Sequence, residues 1–414
     1  YVASRAMWVC DRAATDGTLG AVLQLIFATP ADDTLDPRIT FARASSATRV
    51  NSSGLIETVS TNVARFDYDP VTLAAKGLLI EEARTNLVYP SIPNATWVSA
   101  NGFTSTYNYG TAPDGTTTST RLVWTTNTSP YVGAPPVTNT AGATYTGWAY
   151  VKPNSSGTFR VQIGKNDSSQ RAIANFDMST HEVVTTTTGA DVSGAIASVK
   201  PAPLGYYKVS ISASFANSYA AGFRLMLVGI SASGDCEIGG VQLELGSYGT
   251  SYIPTTSSAA TRAEDVATMT GTNFSDWYNQ TEGTFVVSAD CPASGTRTIA
   301  GVNNGTTDEF LRIYASGTDP KFAVTDGGAA QADIDAGTIA ADTAFTLAAA
   351  YKTNDFAASV SGGAAITDTS GTLPTPSQLQ IGVGAGSNYL NGHIKSLKYY
   401  SRRLSDAQLQ TLSA

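Results

Sequence analysis

The clearest pattern in the chain is a period-two alternation over Tyr207-Lys208-Val209-Ser210-Ile211-Ser212-Ala213-Ser214-Phe215, apolar at odd positions and polar at even ones. Side chains of a β-strand point alternately to opposite faces, so this run predicts a strand with one buried and one wet face. Phe223 to Val228 is apolar except for Arg224 and reads as a more buried strand; Gly147 to Lys152 and Thr158 to Gly164 add two more. Downstream, strands are expected at Thr284–Asp290, Phe310–Ala315, Phe345–Tyr351, Phe356–Ser361 and Gln378–Gly382, with hairpin turns at Asp326-Gly327-Gly328 and Gly362-Gly363. Short strands separated by Gly and Pro turns indicate sandwiches or jelly rolls. One helix is expected, over Ser405 to Leu412. Ser405 and Gln408 have capping-box spacing, and Leu404 can staple onto Leu409.

These elements divide the chain into an irregular region over residues 1–90 and two antiparallel β-sandwiches, over 91–255 and 256–414. The small-residue segment from Ser251 to Asp265 marks the boundary between the sandwiches. The fold class is all-β. No repeat of ~20 residues occurs, which argues against a β-helix.

Composition supports this. Only 14% of the 414 residues are charged, so the surface is built from Ser, Thr, Asn, Gln and Gly. Long surface helices would need more Lys and Glu. The net charge of −8 and the lack of a basic, aromatic-studded stripe argue against nucleic-acid binding. The apolar stretch from Ala21 to Ala28 is too short for a bilayer and lacks the layout of a signal peptide, so no membrane insertion is expected. Cys10, Cys236 and Cys291 lie far apart, with no CxxC, and read as free thiols.

Catalytic motifs are missing: there is no GxSxG, phosphate loop or HExxH. The two histidines, His181 in a turn and His393 in a strand, read as surface or half-buried residues. A glycosidase needs two carboxylates facing across a cleft. Adjacent Glu81 and Glu82 would point to opposite faces, and Glu237 with Glu244 or Asp308 with Glu309 are pairs any acidic chain offers. No catalytic residue is assigned, and a non-enzymatic role is expected. Tyr and Trp rings can stack on sugar C–H faces while Asn and Asp bind hydroxyls. Trp97, Tyr107, Tyr109 and Trp124, and Tyr389 with Asn391, are therefore the candidate glycan contacts; the alternative is that these rings cap sandwich cores.

Three segments carry a resemblance. Phe41-Ala42-Arg43-Ala44-Ser45-Ser46-Ala47-Thr48, with Gly54-Leu55-Ile56, Pro70 and the run from Gly77 to Leu87, resembles a segment of tailed-phage virion proteins. Val241-Gln242-Leu243-Glu244-Leu245-Gly246 with Tyr252-Ile253-Pro254-Thr255 resembles the closing strand of their carbohydrate-binding-like jelly rolls. Leu390-Asn391-Gly392-His393-Ile394 and the run from Tyr399 to Ser405 resemble the end of laminin-G and concanavalin-like sandwiches.

The resemblance implies a bacteriophage structural protein of the virion, a tail fibre or spike displaying glycan-binding-type domains for host attachment. Alternatives are a capsid decoration or head fibre, and a polysaccharide depolymerase. Residues 1–90 would be the docking region for other virion proteins, and a homotrimer is expected. One sugar site binds near millimolar, about −4 kcal/mol, and linking sites raises avidity roughly 10²- to 10⁴-fold. Val22-Leu23, Leu25-Ile26-Phe27 and Leu78-Leu79-Ile80 need burial, against a partner chain or against the neighbouring domain of the same chain. Glu81 and Glu82 are expected in ion pairs with Arg84 or Arg43, and Arg43, Arg49 and Arg65 with Asp67 and Asp69, as a charge latch. No cofactor is required; calcium is a candidate, at Asn303-Asn304-Gly305 with Asp308 or at Asp326-Gly327.

Overall fold

The computed structural model describes residues 20–28, 33–100, 102–125, 128–340 and 343–414. The described chain is almost entirely antiparallel β-structure, arranged as two sandwiches. The middle sandwich has two six-stranded sheets. One carries Thr144–Pro153 between Tyr207–Phe215 and Gly234–Leu245. The other carries Thr158–Lys165 between Arg171–Asp177 and Phe223–Gly229. Inward residues of both sheets share one core, including Trp124, Phe159, Val161, Ile211 and Leu225. The predicted strand Tyr207–Phe215 has the bounds read from its alternation.

The last sandwich pairs a seven-stranded with an eight-stranded sheet. The helix Asp406–Ser413 docks on its outside. The Ser405 backbone N–H donates to Gln408 Oε1 at 2.9 Å, and Leu404 and Leu409 are buried together against Val286 and Ala348.

The first ninety residues differ from the irregular region expected of them. Ala75–Ile80 and Leu23–Ile26 both pair with Gly392–Tyr400, Arg65–Tyr68 extends the same sheet, and Thr40–Ala42 pairs with Val266–Thr270 in the opposite sheet. Leu23, Leu25, Phe27, Leu78 and Ile80 are thereby buried in the core of the last sandwich, within one chain. Their partners on Gly392–Tyr400 lie more than 300 residues away, a distance that local alternation cannot encode. Residues 1–19, with Cys10, lie outside the described residues.

Where the first region, the linker and both sandwiches meet, a buried ionic cluster forms. Asp265 accepts from Arg43 Nη1 at 3.0 Å, from Arg65 and from the Glu81 backbone N–H at 2.9 Å. Glu81 in turn pairs with Arg65 at 2.8 Å and Arg262 at 2.7 Å, and accepts from Ser251. Burial alone would raise the Glu81 pKa, but the charges of Arg262 and Arg65 hold it well below the usual carboxylate range. The expected latch exists, with Glu82 paired to Arg84 as expected and the other members on different partners. Arg49 pairs with Asp33 and Glu57. Asp67 bonds the Val50 N–H and His393, and Asp69 caps its own turn through the Val71 and Thr72 N–H groups. Beside this cluster Ile56 and Tyr252 pack onto Trp148, Tyr150 and Tyr206, covering the outer face of one middle sheet.

His393 is buried, against the expectation of a surface or half-buried ring. Its Nδ1 lies 2.8 Å from Asp290 and its Nε2 2.9 Å from Asp67, so it joins a strand of the first region to the last sandwich. Burial pulls its pKa down, but the Asp290 charge and the bonds to Asp290 and Asp67 outweigh burial, and the net shift is upward. A group whose pKa is higher folded than unfolded stabilises most below its unfolded value, about 6.5. That stability is lost as pH rises through the folded pKa. His393→Gln is expected to cost about 1.5–3 kcal/mol at pH ~5.5, the value of one charge-assisted bond. The gap from the parent should shrink as pH rises, as urea melts across the range would show. A gap that widens towards alkaline pH would contradict this reading.

Candidate ligand-binding site on the seven-stranded sheet

The strand Phe310–Ser316 alternates strictly. Leu311, Ile313 and Ala315 enter the core, and Phe310, Arg312 and Tyr314 point outward. Its register decides what surrounds them. Arg312 lies opposite Gly301 on one side and Ala323 on the other, and Ala323 lies opposite Asp333. Two small residues flanking a long one leave a trough, walled by the rings of Phe310 and Tyr314. The Phe310 ring lies over Gly301, where an added Cβ would come within 2.8 Å of its Cζ, so this wall depends on glycine. The turn at 384–388 closes one end, held by the Thr298 N–H donating to the Asn388 carbonyl at 2.8 Å.

The result is a depression of about 230 Å³, with Thr307, Arg312, Tyr314, Asp333, Ser387 and Asn388 in its lining. Arg312 Nε donates to Thr298 Oγ1 at 2.9 Å, and the guanidinium carbon sits 4.5 Å from the Tyr314 ring centroid. Its Nη2 is buried without a hydrogen-bond partner. Burial lowers the Arg312 pKa, with Tyr314 and Asp333 partly opposing it. The Tyr314 hydroxyl donates to Asp333 Oδ1 at 2.9 Å, and burial and this bond push its pKa up. The site thus combines an oriented cationic donor, a carboxylate acceptor, aromatic faces and small polar groups. That set suits a polyhydroxylated ligand.

None of these residues was singled out from the sequence. The outward series Phe310, Arg312, Tyr314 was legible as alternation, but its small neighbours Gly301 and Ala323 come from strand register. The six expected glycan contacts do not form one site. Trp97 is only 5% exposed, with Nε1 donating to the Pro90 carbonyl, and Trp124 is 1% exposed, with Nε1 donating to the Ser231 carbonyl. Both are core residues and cannot stack on a sugar, which corrects the expectation. Tyr107 and Tyr109 are open, at 41% and 46% exposure, and the Arg121 guanidinium lies 4.9 Å from the Tyr109 ring centroid. Asn391 is buried: its Oδ1 accepts from the Glu82 N–H and its Nδ2 donates to the Tyr389 carbonyl. Tyr389 packs on the last core. This pair belongs to the seam between regions rather than to a binding surface.

Of the carboxylates considered as catalytic pairs, Glu237, Glu244 and Glu309 hold hydrogen bonds within the fold. Glu244 accepts from Trp148 Nε1 at 3.1 Å and from Thr250, and Glu237 accepts from Ser119 at 2.8 Å. Glu309 accepts from the Gly327 and Thr375 N–H groups. Glu81 and Glu82 face different partners, as expected of adjacent residues in extended chain. His181 sits in a turn at φ 60° with its ring against Tyr207. At the suggested calcium loop, Asn303 Oδ1 accepts from the Gly305 N–H and Gln378, and Asn304 Oδ1 from Thr306. These oxygens are committed within the loop and do not fit a calcium ligand set. Among the described residues no group of three or more His, Cys, Asp or Glu could hold a metal. Cys236 and Cys291 are buried and outside any disulfide. No described helix is long and apolar enough to cross a membrane.

No family model matches the chain, and no curated protein is significantly similar. Solved structures are similar only distantly. The carbohydrate-binding module CBM40 of the Ruminococcus gnavus IT-sialidase, bound to α2,3-sialyllactose, is 17% identical. That likeness covers 34% of this chain and 87% of that one, with a TM-score of 0.30. Domains LG4-5 of the mouse laminin α1 chain are 10% identical over 77% of this chain and 93% of theirs, with a TM-score of 0.25. Trypanosoma rangeli sialidase is 11% identical over 71% of this chain and 60% of its own, with a TM-score of 0.28. At such scores these likenesses carry no argument about the chain.

Proposed function

We propose that the chain is a non-enzymatic structural protein of a tailed-phage particle that displays a glycan-binding sandwich for host attachment. The carrying observation is the depression around Arg312, where a buried guanidinium nitrogen has no partner within the chain. A buried donor left unpaired costs about 1–3 kcal/mol, which a ligand oxygen would recover. The virion setting rests on the motif resemblances around Phe41–Thr48 and Gly77–Leu87. Trimer formation rests on avidity alone, since Leu25 and Phe27 are already buried within the chain.

The test is binding of the intact protein to host-surface glycans, with Arg312→Ala and Asp333→Ala as variants. Arg312→Ala is expected to weaken binding at least tenfold, equivalent to about 1.4 kcal/mol, with little change in melting temperature. Equal binding by the parent and both variants would overturn the site. Imaging labelled virions tests the location, and mass photometry tests the trimer. Release of oligosaccharide from the bound glycan would contradict the non-enzymatic reading.

A further inference from the structure

A second face has the features of a ligand site, in the other sandwich. In Thr158–Lys165 the core takes Phe159, Val161 and Ile163, leaving Arg160, Gln162 and Gly164 on the outer face. In Arg171–Asp177 the outward residues are Arg171, Ile173 and Asn175, and in Phe223–Gly229 they are Arg224, Met226 and Val228. The register aligns them in rows. Arg171, Gly164 and Arg224 lie side by side; the next row is Ile173, Gln162, Met226 and Gly133.

Three observations set this face apart. First, Ile173, Met226 and Gln162 are buried on this outer face, and Gln162 is 2% exposed. The Arg224 side chain lies against the end of this row, since a Cβ placed on Gly133 would lie 3.1 Å from its Cδ. Second, Gln162 Oε1 and Arg224 Nη1 are buried without partners; Gln162 uses its amide only towards the Met226 sulfur, at 3.6 Å. Third, Arg160, Arg171 and Arg224 have no carboxylate in ion-pair range among the described residues, in a chain of net charge −8. Their Nε atoms bond neutral Asn175, Thr188 and Asn166. The nearby turn carboxylate, Asp167, is held by Lys165 at 2.8 Å and by Ser169. Arg160 is disfavoured in its charged form by burial and by Arg171, as expected where an anion is wanted.

We propose that this face binds a sugar unit bearing a carboxylate. The arginine forks take the carboxylate, Gln162 Oε1 accepts from a hydroxyl or amide N–H, and the C–H face of the ring lies on Ile173 and Met226. Guanidiniums match a carboxylate bidentately. The unpaired Gln162 acceptor demands a ligand that also donates, which selects an acidic sugar over a simple inorganic anion. Because no carboxylate pins the arginines, they can lift to admit it. This site does not depend on the Arg312 depression.

The test is NMR or calorimetric titration of the intact chain with a glucuronic-acid-containing disaccharide, its neutral counterpart and sodium phosphate. The acidic disaccharide should bind at least tenfold tighter than the neutral one and than phosphate, and more weakly as salt rises from about 50 to about 500 mM. Arg224→Gln and Gln162→Leu should each lose at least tenfold. Should Arg224→Gln fail to fold, Arg171→Gln, at a strand near the sheet edge, replaces it. The proposal is overturned if phosphate binds as well as the disaccharide, if the neutral sugar does, or if Gln162→Leu and Arg171→Gln both bind like the parent.

Discussion

Asp265→Ala is expected to lower the stability of the chain by about 3–5 kcal/mol, the cost of breaking a buried ionic cluster by removing one member. Asp265 is fully buried and serves Arg43, Arg65 and the Glu81 backbone at once. Without it, Arg43 keeps only carbonyl acceptors, those of Ser45, Val59 and Ser60, and Arg65 shares Glu81 with Arg262. Three buried guanidiniums, those of Arg43, Arg65 and Arg262, then lie in a low-dielectric interior with Glu81 as their one carboxylate. Because these residues join the first region to the linker, hydrogen exchange should rise first in Thr40–Ala42 and Val266–Thr270. Asp265→Asn keeps the shape and loses the charge, so it should recover only part of the loss. Replacing Arg43, Arg65, Glu81, Arg262 and Asp265 together with apolar residues of similar volume should cost much less than Asp265→Ala alone. Urea melts of these variants decide the matter: a loss below about 1 kcal/mol for Asp265→Ala would mean that the cluster does not hold the regions together.

The second large effect is expected at Trp124, where alanine should cost about 3–5 kcal/mol through lost burial and the cavity left behind. Its ring packs edge-on to Phe103 at 5.5 Å and against Phe159 at 5.9 Å. Gly229 and Gly234 lie against its face, where a Cβ on Gly229 would come within 2.7 Å of the ring, so both strands are shaped around this side chain. Nothing nearby can collapse into the space without moving those strands. Glycan binding at the Arg312 depression should be unaffected at temperatures where the variant stays folded. A Trp124→Ala variant that kept its stability and lost sugar binding would instead restore this ring to a surface site.

The tryptophans show why aromatic residues were a poor guide to the site. Trp97 and Trp124 stand in a Gly-, Thr- and Asn-rich stretch, the composition of an exposed loop, yet neighbouring strands close over both. Tyr107 and Tyr109, from the same stretch, remain open. Nothing local distinguishes the two pairs, because burial depends on what the opposite sheet places above each ring. The charged motif from Gly77 to Leu87 was a better guide. Buried carboxylates need partners, so ion pairs were expected of Glu81 and Glu82, although the partner of Glu81 came from the linker and from Arg65 rather than from Arg84 or Arg43.

What the sequence determined by itself was local. Local patterning marked Tyr207–Phe215, Phe310–Ala315 and Phe345–Tyr351 as strands, found at Tyr207–Phe215, Phe310–Ser316 and Phe345–Lys352, and capping-box spacing marked the terminal helix, because these signals arise within a few residues. The all-β class follows from their sum. The tertiary structure alone decided that strands from the first eighty residues complete the last sandwich, and that Gly301 and Ala323 flank Arg312. It likewise aligned Arg171, Gly164 and Arg224 on one outer face. Those facts depend on which strands pair and in what register. Register is set by the burial of whole faces against distant segments, so no short window of sequence contains it.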